Sequence, residues 1–270
     1  MTTRNWRAKH TRSGCKIQCS SPNVVVEEYV PSTLMLSTFS TVGTFTWVAP
    51  PYVTSVDYLL VGGGGGGGGA HDTGAAGGGG GGLVLVGSTS VSPGTTYSVV
   101  VGNGGAGGIG YPSGNVPRET SGSSGANTTF ASIVALGGGG GYSSRVANGF
   151  PGLGGNSTNG SIAPSGGNGA GNNVGGEDGG GGGGNTTAGG SSTLIPAVSR
   201  VAGAGLSSNL SGSSVTYGAG GMGGITYQSF TGANASANTG NGGGGATTNS
   251  SDFKSGGAGG SGIVILKYLV

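Results

Sequence analysis

The sequence predicts an all-β protein: a β-sandwich-like frame carrying inserted glycine-rich loops, the loops packed as polyglycine II helices. Three observations lead there. Short runs of strand-forming residues recur with Gly/Pro/Ser turn signals between them. Glycine supplies 71 of the 270 residues, far above ordinary usage. No stretch keeps the apolar spacing of an amphipathic helix over a useful length.

Unpatterned glycine enrichment usually marks disorder. Glycine loses the most backbone freedom on folding and offers no side chain to bury. A chain that orders so much of it must draw on backbone hydrogen bonds between closely packed segments. Charged residues are only 7%, so the surface is built mainly of Gly, Ser, Thr and Asn. Such a neutral, hydrogen-bonding surface suits an extracellular or particle-bound protein.

Residues 1–40 are expected to form a basic anchoring arm. Arg4, Arg7, Lys9, Arg12 and Lys16 are half of the 10 Lys and Arg residues, and no acidic residue precedes Glu27. The arm either docks on an acidic partner, with Trp6 as its apolar anchor, or is a solvated tail. No apolar run of signal-peptide type follows the basic start, and no segment approaches the ~20 apolar residues of a membrane span. Cys15 and Cys19 suit a local disulfide or two free thiols; a zinc site needs further ligands, and only His10 is near. The 24–30 stretch reads as a strand, Pro31 interrupts it, and a second apolar stretch covers 34–39.

Residues 41–270 are expected to form one glycine-rich β domain, with frame strands at about 44–136 and 262–270 and a glycine-rich insertion at about 137–260. Phe45 and Trp47 alternate on one face of a strand at 44–48, which Pro50 and Pro51 end. Strand formers fill 55–61, and eight glycines follow at 62–69. The apolar run 83–86 reads as a buried strand. Tyr97, Val99 and Val101 mark another, and 127–130 with 132–136 reads as a strand pair. The chain closes on its most strand-like segment, 262–270, which is expected to pair back with the earlier strands.

Polyglycine can adopt a left-handed, extended helix of three residues per turn, rising ~3.1 Å per residue, in which 62–69 spans about 25 Å. Without Cβ atoms, such helices approach closely on every side and exchange N–H···O=C bonds. Each bond is worth about 0.5–1.5 kcal/mol net, against ~1–2 kcal/mol of backbone entropy per ordered residue. A lattice of this kind therefore needs a frame to anchor it.

Two blocks and a closing strand carry a resemblance. The first is Thr44-Phe-Thr-Trp-Val-Ala-Pro with Val53-Thr-Ser-Val-Asp-Tyr-Leu-Leu-Val-Gly-Gly-Gly. The second is Gly82-Leu-Val-Leu-Val with Val91-Ser-Pro-Gly-Thr-Thr-Tyr-Ser-Val-Val-Val-Gly-Asn-Gly-Gly. The closing strand is Ser261-Gly-Ile-Val-Ile-Leu-Lys-Tyr. In this order they resemble the glycine-rich domains of bacteriophage tail fibre and adhesin proteins of the polyglycine II type, over roughly residues 40–270. The resemblance implies a virion protein that binds a bacterial surface glycan or outer-membrane protein through loops at one end of a glycine bundle. It also implies attachment to other virion proteins and a homo-oligomer, a trimer by analogy with fibres.

Catalytic motifs fail on context. The glycines of 102–107 fit a dinucleotide fingerprint, but the proline-containing stretch after them cannot supply the helix it needs. His71 beside Asp72 lacks the rigid scaffold a hydrolase requires. No enzymatic activity, cofactor or metal is therefore expected. The candidate receptor-binding residues are the aromatics scattered among the loops: Tyr111, Tyr142, Phe150, Tyr217, Tyr227 and Phe230. They either plug the ends of the bundle or present aromatic faces to a ligand. A capsid decoration or head-fibre protein without receptor binding is the alternative reading. Ice binding is the third, disfavoured by the lack of a sustained triplet repeat.

Overall fold

The computed structural model describes residues 15–21, 24–29, 33–71, 74–110, 120–144, 179–190, 200–225, 228–249 and 252–270, with side chains described from residue 33 onward. The described elements are all β, and no helix among them is long and apolar enough to cross a membrane. In chain order the strands are β1 (Cys15–Ser21), β2 (Val24–Tyr29), β3 (Leu34–Phe39), β4 (Gly43–Val48), β5 (Ser55–Val61), β6 (Ala70–His71), β7 (Val84–Ser90), β8 (Thr96–Val101), β9 (Thr128–Phe130), β10 (Ile133–Ala135), β11 (Leu206–Ser208), β12 (Val215–Tyr217), β13 (Phe253–Lys254) and β14 (Ile263–Leu269).

Two antiparallel four-stranded sheets form the frame, one ordered β10-β9-β8-β4 and the other β3-β14-β5-β7. Alternation along each strand sends one set of side chains between the sheets. Trp47, Val56, Leu60, Val99, Phe130, Val264, Leu266 and Tyr268 meet there. Trp47 is the hub: its ring centroid lies 5.9 Å from Tyr97, 5.9 Å from Phe130 and 5.4 Å from Tyr268. Trp47→Ala is expected to cost about 3–5 kcal/mol, read as a drop in the urea midpoint with an unchanged slope. The opposite face of the second sheet is also covered. Leu59, Val61, Val84, Ile263 and Ile265 pack against Tyr217 of the β11–β12 hairpin. Burial on both faces explains why β5 and β14 read as continuous apolar runs rather than alternating ones.

The last strand does return to the earlier ones. β14 pairs antiparallel with β5 (Ile263 opposite Val61) and with β3 (Leu269 opposite Leu34). β3 is therefore a frame strand, although the sequence assigned it to the arm. Its register against β14 decides this, not its composition. β1 and β2 form an antiparallel hairpin that includes Lys16, opposite Glu28. Cys15 and Cys19 lie four strand residues apart, about 13 Å at ~3.3 Å per residue, beyond the Cα separation a disulfide bridges.

From the edge of this frame the glycine runs project as a lattice. None of residues 62–69 has a positive φ, and their hydrogen bonds recur every third residue. Gly62, Gly65 and Gly68 donate to the carbonyls of Leu83, Gly80 and Gly77. Gly63, Gly66 and Gly69 donate to Ala126, Ser123 and Thr120, while Gly64 and Gly67 donate to Gly260 and Gly257. Three residues per turn without positive φ is the polyproline II-type helix expected for polyglycine. The carbonyls of 62–69 accept in the same rhythm from Gly105 and Gly108, from Gly138, Gly141 and Ser144, and from Gly243 and Ala246.

The 62–69 helix thus has six neighbours: 76–83, 137–144, 120–126, 102–109, 256–260 and 240–246. The ring closes through further bonds, among them Gly80 to Gly139, Gly122 to Gly141, Ser123 to Ala106, Gly256 to Gly108, Gly257 to Gly244 and Gly79 to Gly243. Acceptor numbers fall along three neighbours and donor numbers rise along the other three, so antiparallel and parallel helices alternate around the axis. Segments 179–184, 200–205, 218–224 and 231–235 extend the lattice on one side. The lattice therefore begins at residue 62 and not at 137, because the first glycine run is its axis.

Candidate binding face at the distal end of the bundle

The 62–69 helix leaves the end of β5 and runs about 25 Å away from the frame. At its far end Gly69 donates to Thr120 and accepts from Ser144. β6 pairs there with β13, His71 opposite Phe253. Local side-chain bonds close this end: Ser144 Oγ accepts from the His71 amide at 3.2 Å, and Thr120 Oγ1 from the Ile109 amide at 2.8 Å. Side chains also cap the lattice elsewhere by standing in for absent peptide carbonyls. Asn185 Oδ1 accepts from Val84 N, Asn241 Oδ1 from Ala219 N and Asn234 Oδ1 from Ala258 N.

Among the described residues the distal end is apolar in patches. Ile109, Tyr142 and Phe253 are exposed at 48%, 47% and 41%. Phe230 is half-buried and exchanges backbone bonds with Thr247. Lys254 Nζ donates to the Asp252 carboxylate at 2.6 Å. That hydrogen bond, with one from the Phe253 amide, holds the Asp252 carboxyl below its ordinary value. Among the described residues no group of three or more His, Cys, Asp or Glu could hold a metal ion.

Of the aromatics singled out in the sequence, Tyr142 and Phe230 lie at this end. Tyr217 does not: it is buried at 3% exposure against Leu59, Val84 and Ile265 at the frame end, because β12 turns its side chain onto the sheet. It is thereby removed from the candidate face. Tyr111, Phe150 and Tyr227 lie outside the described residues, as do Arg4, Trp6, Arg7, Lys9 and Arg12. Phe253 and Ile109 went unnoticed in the sequence. The signal for Ile109 was its position in the series Asn103, Ala106, Ile109, where every third residue of a glycine segment is exposed. The glycines of 102–107 are a lattice helix, donating from Gly105 and Gly108 to Gly64 and Gly67.

A sandwich of two sheets extended by a hexagonal glycine lattice defines an all-β, glycine-rich protein. The sequence pattern of a glycine-rich domain family matches residues 39–269, and the chain belongs to that family. No curated protein sequence matches the chain.

Proposed function

We propose that this chain is a structural protein of a bacteriophage particle, a tail fibre or adhesin, that meets its host with the distal end of the glycine bundle. The observation that carries the reading is the position of the exposed Ile109, Tyr142 and Phe253. They stand on a hydrogen-bonded post about 25 Å long, remote from the frame. A rigid scaffold presenting variable chain at one end is a common way to build a recognition surface. Aromatic faces beside Ser, Thr and Asn groups suit sugars and the loops of outer-membrane proteins. The resemblance of the strand blocks to tail fibre domains supports the same assignment by analogy. The basic leader would attach the chain to other virion proteins, and fibre-like assembly would give a homo-oligomer at the particle surface.

Gold-labelled antibodies against residues 137–260 should mark tail or fibre tips of particles in electron micrographs. Label spread over capsids would favour decoration instead, and no labelled particle would sink the virion reading. The purified protein should also compete with particles for host cells. Tyr142→Ala with Phe253→Ala should weaken that competition at least about tenfold, the loss of two well-packed aromatic contacts, with an unchanged melting temperature.

A further inference from the structure

The lattice has a vacant position. The 240–246 helix bonds to five neighbours: it donates to 62–69, 218–224 and 231–235, and accepts from 76–82 and 256–260. Around such a helix, directions of donation and acceptance alternate. Gly240, Gly243 and Ala246 accept from Gly82, Gly79 and Ala76, and Asn241 and Gly244 accept from Gly260 and Gly257. The third set of carbonyls, Gly242 and Gly245, receives no hydrogen bond from the described residues, although both residues are buried. It points between the two flanking helices. The amides of Met222, Ala233 and Ser236, exposed residues on those flanks, donate to no described residue. All five residues line one groove of about 390 Å³. Buried backbone carbonyls without partners, as at Gly242 and Gly245, are rare in native proteins.

We propose that this groove binds an extended glycine-rich polypeptide segment of a partner, seated as one further polyglycine II helix. The guest would donate to Gly242 and Gly245, one helical turn or about 9 Å apart. It would accept from Met222, Ala233 and Ser236. The 231–236 flank sets its length at roughly six residues, two turns. Its sequence is constrained as well. The 102–109 helix, which among the described residues also bonds to three neighbours, carries a non-glycine residue at every third position, Asn103, Ala106 and Ile109, where it faces solvent. At the other positions a Cβ would overlap a neighbour's carbonyl, as at Gly104 against Gly259. The groove is walled on three sides and open on the fourth, so the occupant it fits is a Gly-Gly-X repeat with X outward. Its acceptors and donors are peptide groups, so recognition reads backbone conformation and the absence of side chains rather than charge.

The test uses the full chain and a synthetic Gly-Gly-Ser repeat peptide about twelve residues long. Hydrogen exchange followed by NMR should show the amides of Met222, Ala233 and Ser236 becoming protected on addition of peptide. An Ala-Ala-Ser repeat of the same length should bind at least tenfold more weakly. Ala233→Pro removes one donor while keeping a φ compatible with this helix, and should also weaken binding about tenfold. Absence of protection at millimolar peptide would overturn the proposal, as would equal binding of the alanine repeat. Protection of the same amides without peptide, rising with protein concentration, would overturn it in favour of a second copy of the chain.

Discussion

Deletion of residues 263–270 is expected to abolish folding. β14 lies between β3 and β5 and bonds to both. Ile263, Val264, Ile265 and Leu266 are all buried, two facing each core cluster. Full burial of such side chains is worth ~1.5–3 kcal/mol each, and their sum rivals the ~5–15 kcal/mol net stability of a whole domain. The deletion also strips β3 of its only paired neighbour among the described strands. The shortened chain should be insoluble or show no cooperative thermal transition by circular dichroism. A soluble product with a sharp melt would mean that the frame closes without its central strand.

Gly66→Ala is expected to destabilise the protein by more than ~3 kcal/mol, above the usual range for overpacking. A Cβ there would overlap the Ala106 carbonyl and crowd the Gly107 amide. Backbone on every side leaves no rotamer that relieves the overlap. Gly94→Asn provides the contrast. Gly94 has φ +76° and open space around its missing side chain, and asparagine tolerates that conformation. Its cost should be about 1 kcal/mol or less. Urea melts of the two variants decide the matter: equal losses would show that the lattice is not close-packed at its axis.

The frame was legible because strand chemistry is local. Phe45 and Trp47 alternate, the 55–61 and 262–270 runs are apolar on both faces, and β4, β5, β7, β8, β9, β10 and β14 each overlap a run those patterns mark. The β11–β12 hairpin was missed because Leu206, Val215 and Tyr217 are too few to form a run; the sheet they cover gives them their strand conformation. The lattice was legible as a conformation but not as an arrangement. Polyglycine has no side chains to specify which helix sits beside which, so adjacency emerges only from the hydrogen bonds. One hidden regularity did lie in the sequence: the eight-glycine run at 62–69 is the helix with six neighbours, whereas the outer 102–109 helix interrupts glycine every third residue. At the candidate face, aromatic identity alone could not separate Tyr142, which is exposed, from Tyr217, which serves the core.

The hydrogen bonds that radiate from the 62–69 axis have a mechanical consequence. A β-sheet is stiff within its plane and soft across it, since its bonds run in one lateral direction. Here the bonds leave the axis in six directions, toward helices of alternating polarity. Bending in any direction must strain peptide hydrogen bonds, so the bundle should resist lateral load nearly equally all round. It would behave as a strut rather than a ribbon, keeping its far end in fixed orientation to the sandwich under shear.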